Sequence, residues 1–297
     1  MRQSGAPPPR LLERNYAMPI VSRADSPSLH YTLCDYTDPW TDAPYLFLQH
    51  GYGRNGGFWF QWVPQLCRHF KVICPDLRGH GQSDRAFDLD TGFTLETLSD
   101  DVIAIADSLG IKQFHYAGES IGGLVGLAVA GRYANRVATL TNISGPVFIS
   151  QGARTAYALG QGSWPDAVRK LGPREWLDRT NASTRFPPQT EAGFLAWYTA
   201  TVEKTGTDVL AALAQFALDA DATRYLADIT APTLCLYPQQ GAIANREQQE
   251  TLERHVKNLT IQQVSTTYHM IQHIVPDECT AMLRAHIARN SSNGDKQ

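Results

Sequence analysis

Short apolar runs alternate along the chain with longer segments of helical periodicity. Two of these segments, 95–109 and 121–133, carry apolar residues at helical spacing. The short runs are apolar on both faces, as the strands of a buried parallel sheet are, and they cover 44–49, 71–77, 114–117, 137–143 and 232–237. This alternation predicts an α/β fold with a mostly parallel, doubly wound sheet.

The alternation stops between residues 148 and 222, where no strand-like run occurs. The helical patterns in this stretch cover 150–159, 163–171, 173–179, 190–204 and 207–218. A helical insertion of this size predicts a lid over the carboxyl-terminal edge of the sheet, placed before the last two strands. Three tryptophans, Trp164, Trp176 and Trp197, lie within it.

These patterns divide the chain into a core, a lid and two tails. The core is expected to comprise residues 21–147 and 223–290, and the lid residues 148–222. Residues 1–20 and 291–297 are expected to be flexible tails. The amino-terminal stretch carries arginines and prolines but lacks the apolar segment of a signal peptide.

Composition excludes several classes of protein. The chain has 297 residues, of which 43% are hydrophobic and 19% charged, so a disordered or coiled-coil chain is excluded. The net charge of −3 argues against a dedicated nucleic-acid binder. No apolar run approaches the ~18 residues of a membrane span, so no membrane association is expected. The expected partner is a small-molecule substrate. The oligomeric state stays open, with a homodimer as one alternative.

The five cysteines do not suggest a disulfide framework or a thiolate metal site. They include no CxxC pair, and the histidines form no HxH or HExxH motif. The sequence therefore predicts no metal and no cofactor. Unpaired cysteines are typical of a reducing compartment, so a cytoplasmic location is expected.

The most specific chemical motif is Gly-Glu-Ser-Ile-Gly at residues 118–122. The motif follows an apolar run and opens a helical segment, which is the setting of a nucleophile elbow. Glycines allow the tight turn, and the turn exposes the serine hydroxyl beside a helix amino terminus. Ser120 is therefore the predicted nucleophile.

A second glycine turn, His50-Gly51-Tyr52-Gly53, follows the run 44–49. In an acyl-transfer site the backbone N–H of Tyr52 can pair with that of Ile121 to form an oxyanion hole. Without the elbow, an ordinary turn after a strand would explain the same residues.

Among nine histidines, His269 is the favoured general base. It follows the alternating run 259–265 and precedes a helix that starts at Pro276, which places it in a loop at the end of a strand. A neutral imidazole can take the serine proton and return it to the leaving group. His273 is the alternative.

The motifs and their order along the chain resemble those of the α/β-hydrolase superfamily, and the resemblance extends from about residue 28 to 289. The markers are His50-Gly51, the stretch Asp76–Ser83, the elbow, and His269 seven residues before Pro276-Asp277. The resemblance implies the α/β-hydrolase fold. The lid position and Asn142-Ile143-Ser144 are similar to 3-oxoadipate enol-lactonases and to meta-cleavage C–C hydrolases.

The chain departs from the family at the third member of the catalytic triad, the acid that orients the histidine. Neither the loop 237–242 nor the stretch 142–145, where relatives carry this acid, contains a carboxylate. Glu119 cannot easily reach the far nitrogen of His269, although its charge would raise the histidine's pKa. The other acids considered are Asp219, Asp221, Glu247 and Glu250, each better explained as a surface carboxylate or helix cap. The third member is left unassigned.

Substrate contacts are expected from the lid and from the turns beside the nucleophile. Arginine can bind a carboxylate with two parallel donors, and the lid offers Arg154, Arg179 and Arg185. Trp164 and Trp59 are candidate pocket walls. The candidates for substrate contact are His50, Glu119, Trp59, Trp164 and Arg154.

The expected function is that of a cofactor-independent serine hydrolase of the carboxylic-ester type, acting on a small ester or enol-lactone through an acyl-enzyme. Because the acid is missing, activated substrates are favoured over amides. One alternative keeps the fold but uses His269 as a base for C–C hydrolysis, lyase or cofactor-free dioxygenase chemistry. A ligand receptor is a further alternative.

Overall fold

A mixed β-sheet forms the centre of the molecule in a computed structural model that describes residues 16–17, 19–240 and 245–291. The strands are β1 (Tyr16–Ala17), β2 (Ile20–Arg23), β3 (Ser26–Cys34), β4 (Tyr45–Gln49), β5 (Lys71–Pro75), β6 (Phe114–Glu119), β7 (Val137–Ile143), β8 (Thr233–Pro238) and β9 (Leu259–Val264). Their order is β1-β3-β5-β4-β6-β7-β8-β9, and β2 pairs with β3. Strands β4 to β9 are parallel, whereas β3 runs antiparallel to β5. The predicted α/β fold with a mostly parallel sheet is confirmed.

Helices cover both faces of this sheet. They are α1 (Val63–Leu66), α2 (Leu95–Ser108), α3 (Ile121–Arg132), α4 (Gln151–Ala158), α5 (Trp164–Thr180), α6 (Ala192–Glu203), α7 (Thr207–Asp219), α8 (Arg246–His255), α9 (Ile271–Ile274) and α10 (Pro276–Ser291). One buried cluster joins Phe47 of β4 to α2 and α3, and the other joins Leu46 and Leu48 to α10. Burial on both faces explains why β4 reads as an unbroken apolar run.

Helices α4 to α7 lie between β7 and β8, as the sequence predicts. We call residues 148–222 the inserted helices. An isolated bridge between Phe148 and Asp221 closes their base. The two predicted helices 163–171 and 173–179 form α5, with Gly172 at φ +76° between them. A π-helical turn, Asn181–Arg185, follows α5 directly.

The amino-terminal strands differ from the prediction of a tail over 1–20. Tyr16 pairs with Cys34, and Ile20 pairs with His30, so β1 and β2 are part of the sheet edge. These strands are short and have no continuous apolar run, which is why the pattern missed them. The core prediction ended at residue 290, but α10 continues to Ser291. The rest of the predicted carboxyl-terminal tail lies outside the described residues.

Across the described ranges, none of the helices has the length and apolarity needed to span a bilayer.

Candidate active site

Ser120 lies in the turn between β6 and α3, in a backbone conformation that L-residues rarely adopt. Its φ is +55° and its ψ is −119°, and its N–H donates to Ile143 O at 2.9 Å. A Cβ on Gly118 would lie 2.1 Å from Gly122 O, and one on Gly122 would lie 2.4 Å from Gln49 O. Only glycine fits at both positions. The close packing therefore holds the serine in its strained, half-buried position.

His269 lies beside the serine hydroxyl. Its Nε2 is 3.2 Å from Ser120 Oγ, at the edge of the hydrogen-bond distance that a general base needs. The His269 N–H donates to Thr184 O at 3.1 Å, and the Met270 N–H donates to Arg185 O at 3.3 Å. The π-helical turn of the inserted helices therefore holds the histidine loop in place. Turns of this type are frequent at functional sites.

The alternative base, His273, lies elsewhere. Its Nδ1 is 3.0 Å from Gln61 Oε1, and its ring packs against Phe60 and Phe194 at centroid distances of 6.0 and 5.3 Å. The structure brings His269, and not His273, to Ser120.

Burial lowers the pKa of His269 well below its ordinary value of 6.5, and the positive charges of Arg185 and Arg54 lower it further. The direction of this shift is opposite to the rise that the charge of Glu119 was expected to cause. At neutral pH the imidazole is therefore uncharged and able to accept the serine proton.

The pKa of His269 leads to an expected pH profile. A histidine whose folded pKa is depressed stays neutral, and so remains a base, as the pH falls through 6.5. We therefore expect kcat/KM to stay on its plateau below pH 6.5, since this parameter reports the ionisation of the free enzyme. The measurement is the pH dependence of kcat/KM, with circular dichroism at each pH to show that the protein is folded. An acid limb centred at or above pH 6.5 would contradict the expectation.

The two amides proposed for the oxyanion hole belong to the turn after β4 and to the start of α3. Ile121 is the first residue of α3, and an N–H at that position has no partner inside its helix. None of the hydrogen bonds within the described residues uses the Tyr52 N–H. The Tyr52 ring is buried, and its hydroxyl donates to Leu210 O at 2.9 Å. This bond ties the turn to α7.

Glu119 forms a buried ion pair with Arg54, a residue that none of the sequence motifs indicates. The two side chains are 1% and 2% exposed. Arg54 Nη1 also donates to the Tyr198 hydroxyl at 3.0 Å. The pair links the turn that carries Tyr52 to the elbow that carries Ser120. The one hint in the sequence was a charged residue inside the glycine-rich stretch 51–57.

The structure brings no carboxylate to the far nitrogen of His269 among the residues it describes. Glu119 Oε1 lies 3.6 Å from Nε2, the nitrogen that faces the serine. Three of the four other acids have carboxylate partners elsewhere: Gln215 donates to Asp219, the Thr223 N–H donates to Asp221, and Glu250 pairs with Arg246. The fourth, Glu247, lies in the first turn of α8, away from His269 in every contact described. Gly241 and Ala242 of the loop where relatives carry the acid lie outside the described residues.

Three of the predicted substrate contacts are placed in structural roles. The His50 ring accepts from the Leu77 N–H at Nε2 (2.9 Å), and its Nδ1 lies 2.8 Å from Gly51 O, so both nitrogens are occupied by backbone. Trp59 packs against Trp62 at 5.0 Å, in the cluster on the α10 face of the sheet. Arg154 donates to the carbonyls of Ile149 and Leu218. The contacts described for these three side chains are all within the protein, and their part in substrate binding stays a prediction.

Trp164, a predicted pocket wall, is buried among aromatic rings. Its ring packs against Tyr52 at 4.7 Å and Tyr157 at 4.5 Å, and it stacks on Trp176 at 5.7 Å. We call Tyr52, Tyr157, Trp164 and Trp176 the aromatic cluster. The guanidinium of Arg185 lies over two of its rings, 4.7 Å from Trp176 and 5.3 Å from Tyr157.

Comparisons with known proteins give a family and a set of distant relatives. The sequence profile of the family described as α/β hydrolase fold matches residues 44–274. A curated protein named "Putative carbamate hydrolase RutD" from Pantoea ananatis is 28% identical over 66% of this chain and 70% of its own length. The 3-oxoadipate enol-lactonase 1 of Acinetobacter baylyi is 27% identical over 73% of this chain and 78% of its own.

Solved structures share the fold at lower identity. The enol-lactonase from Burkholderia xenovorans superposes with a TM-score of 0.78 at 23% identity, over 91% of this chain and 100% of that one. A thermophilic esterase from Thermogutta terrifontis, solved with malate bound, gives 0.76 at 23% identity, over 93% and 99% of the two chains.

Proposed function

The chain belongs to the α/β-hydrolase fold family, and within that family we propose that it hydrolyses a small carboxylic ester or lactone through an acyl-enzyme on Ser120. The observation that carries the proposal is the contact of 3.2 Å between His269 Nε2 and Ser120 Oγ at the strained elbow. The name of one relative, 3-oxoadipate enol-lactonase 1, supports lactone hydrolysis, and the name of another, a carbamate hydrolase, supports attack on a related carbonyl group.

In the proposed reaction, Ser120 Oγ attacks the substrate carbonyl carbon while His269 Nε2 takes the hydroxyl proton. The N–H groups of Tyr52 and Ile121 stabilise the oxyanion of the tetrahedral intermediate. The intermediate collapses, and His269 returns the proton to the leaving oxygen. Water then attacks the acyl-enzyme with His269 as base again, which releases the acid and restores Ser120.

Among the described residues no acid lies at the far nitrogen of His269, and this bears on the substrate. In a serine protease, neutralising the triad acid costs about 10⁴-fold in rate. An activated ester or enol-lactone has a better leaving group and needs less stabilisation of the imidazolium. We therefore infer that activated esters and lactones are the substrates, with the inserted helices as the lid over the site.

The acyl-enzyme gives the direct test. Rapid mixing with an excess of an activated phenyl ester should release about one equivalent of phenol per enzyme before the steady state, provided that deacylation is slower than acylation. Acid quenching and mass spectrometry of peptides should then find the acyl group on Ser120. An acyl group on another residue, or hydrolysis that needs no covalent intermediate, would contradict the proposal.

The missing acid also favours a second candidate function, in which His269 is a base and Ser120 positions the substrate. C–C hydrolysis, lyase chemistry and cofactor-free oxygenation of a heteroaromatic compound fall in this class. Oxygen uptake with a hydroxylated heteroaromatic substrate, together with no turnover of activated esters, would favour it over the ester hydrolase. A ligand receptor would instead release its ligand faster than it converts it.

A further inference from the structure

The buried positive charge of Arg185 has no ion-pair partner among the residues that the structure describes. Three arginines in the described part of the chain are fully buried, namely Arg54, Arg78 and Arg185, at 2%, 5% and 3% exposed. Arg54 pairs with Glu119, and Arg78 pairs with Asp101. For Arg185 the same residues provide one hydrogen bond, to Thr180 Oγ1, and no ion pair.

The guanidinium of Arg185 lies at the active site. It stacks over Trp176 and Tyr157, and Trp176 in turn packs 5.3 Å from Tyr52, beside the proposed oxyanion hole. The Arg185 carbonyl accepts from the residue after His269. Its charge also contributes to the low pKa of His269. The ring contacts, the backbone contact and the effect on the His269 pKa therefore all place Arg185 near His269 and Tyr52.

The contacts of Arg185 leave most of its hydrogen-bonding capacity unused. A guanidinium has five N–H donors in one plane, and it stacks on aromatic rings through its faces. Stacking on Trp176 and Tyr157 leaves the donors at its edge free, and Thr180 accepts from one of them. A buried charge is costly unless it is paired and hydrogen-bonded. The charge of Arg185 helps to lower the pKa of Glu119, but that carboxylate is ion-paired with Arg54, so the edge of the Arg185 guanidinium can accept a further planar anion.

We propose that Arg185 binds a carboxylate group of the substrate, so that the enzyme acts on esters or lactones of molecules that carry a second, free carboxylate. This inference rests on the proposed function. A planar carboxylate matches the two-donor edge of one guanidinium. A phosphate would call for more donors than this single unpaired guanidinium offers, because Arg54 is already neutralised by Glu119.

The first test compares esters that differ in charge alone. Monophenyl glutarate is paired with the analogue in which an amide replaces the carboxylate, and para-acetoxybenzoate is paired with para-acetoxybenzamide. The first pair places the charge on the acyl side of the ester bond, and the second pair places it on the leaving-group side. Rates of alkaline hydrolysis correct for intrinsic reactivity. We expect the wild-type kcat/KM to favour the carboxylate in at least one pair by about 10²-fold, as a charge-assisted pair can provide.

Variants of Arg185 should remove this preference. In Arg185→Gln the ratio should fall to about one, and in Arg185→Lys, which keeps the charge but loses the fork, it should be intermediate. Arg179→Gln is the matched control, because Arg179 is a half-exposed arginine of α5 paired with Glu175. Its ratio should equal that of the wild type. A wild-type ratio near one in both pairs, or an unchanged ratio in Arg185→Gln, would overturn the proposal.

A binding measurement separates failure of this inference from failure of the proposed function. Ser120→Ala is titrated by calorimetry with glutarate and benzoate, and with glutaramide and benzamide as neutral controls. We expect at least one acid to bind at least 30-fold more tightly than its amide, and Arg185→Gln in the same background to lose the difference. Binding without any ester hydrolysis would support the carboxylate site and refute the ester hydrolase. If the enzyme hydrolyses esters but neither pair of compounds shows a preference for the carboxylate, the ester hydrolase is supported and the carboxylate site is refuted.

Discussion

Replacing Ser120 with alanine should lower the hydrolysis of an activated ester by at least ~10³-fold and abolish covalent labelling by a fluorophosphonate. The reason is that the hydroxyl is the proposed nucleophile and lies 3.2 Å from its base. Removing one member of such a catalytic unit lowers the rate by at least this factor. Steady-state kinetics and labelling followed by mass spectrometry measure both effects.

Ser144→Ala is a matched control for this variant. Ser144 is a second serine with a positive φ, +50°, and it is buried where it follows β7 at the same edge of the sheet. Its hydroxyl makes no hydrogen bond to His269 among the described residues, so Ser144→Ala should still be labelled. Labelling that persists in Ser120→Ala, or that disappears in Ser144→Ala with folding intact, would show that the nucleophile is misassigned.

The elbow could be read from the sequence because its determinants are local. Gly118 and Gly122 are required by backbone that passes within 2.1 to 2.4 Å of where a Cβ would lie, and both stand within two residues of Ser120. His269 could be placed because an alternating run precedes it and a proline-initiated helix follows it. Each inference used positions that are neighbours along the chain.

The partners of these residues could not be read in the same way. Arg54 and Glu119 are separated by 65 positions, and no periodicity links a turn after β4 to the end of β6. The sequence favours Arg154 among the three lid arginines, because burial distinguishes Arg185 from the other two only after the inserted helices pack. The packing of the His50 and Trp59 rings could not be read for the same reason. The sequence places His50 and Trp59 in or near the glycine turn after β4, but it does not show which way their side chains point.

The contact between Arg54 and Glu119 should dominate the stability of the site. Glu119→Gln keeps the shape of the side chain but removes its charge, which leaves the Arg54 guanidinium buried at 2% exposure without a counter-charge. Breaking a buried pair in this way costs about 3–5 kcal/mol, and an arginine cannot relieve the cost by losing its proton. We expect the free energy of unfolding in urea at pH 7 to fall by about 3 kcal/mol or more. Glu175→Gln, which breaks a half-exposed pair, should change it by less than about 1 kcal/mol.

The reverse substitution should cost less, and its cost should depend on pH. Burial raises the pKa of Glu119 while Arg54 opposes that rise, so in Arg54→Met the carboxyl can take up a proton inside the folded protein. A carboxyl whose folded pKa exceeds its unfolded pKa destabilises the fold at high pH, and stability returns as the pH falls toward the unfolded value. Arg54→Met should therefore approach wild-type stability between pH 7 and pH 5. Glu119→Gln should not, and the double variant, which leaves neither charge, should be more stable than Glu119→Gln. Equal, pH-independent losses in the two single variants would show that packing, and not charge, determines the role of this pair.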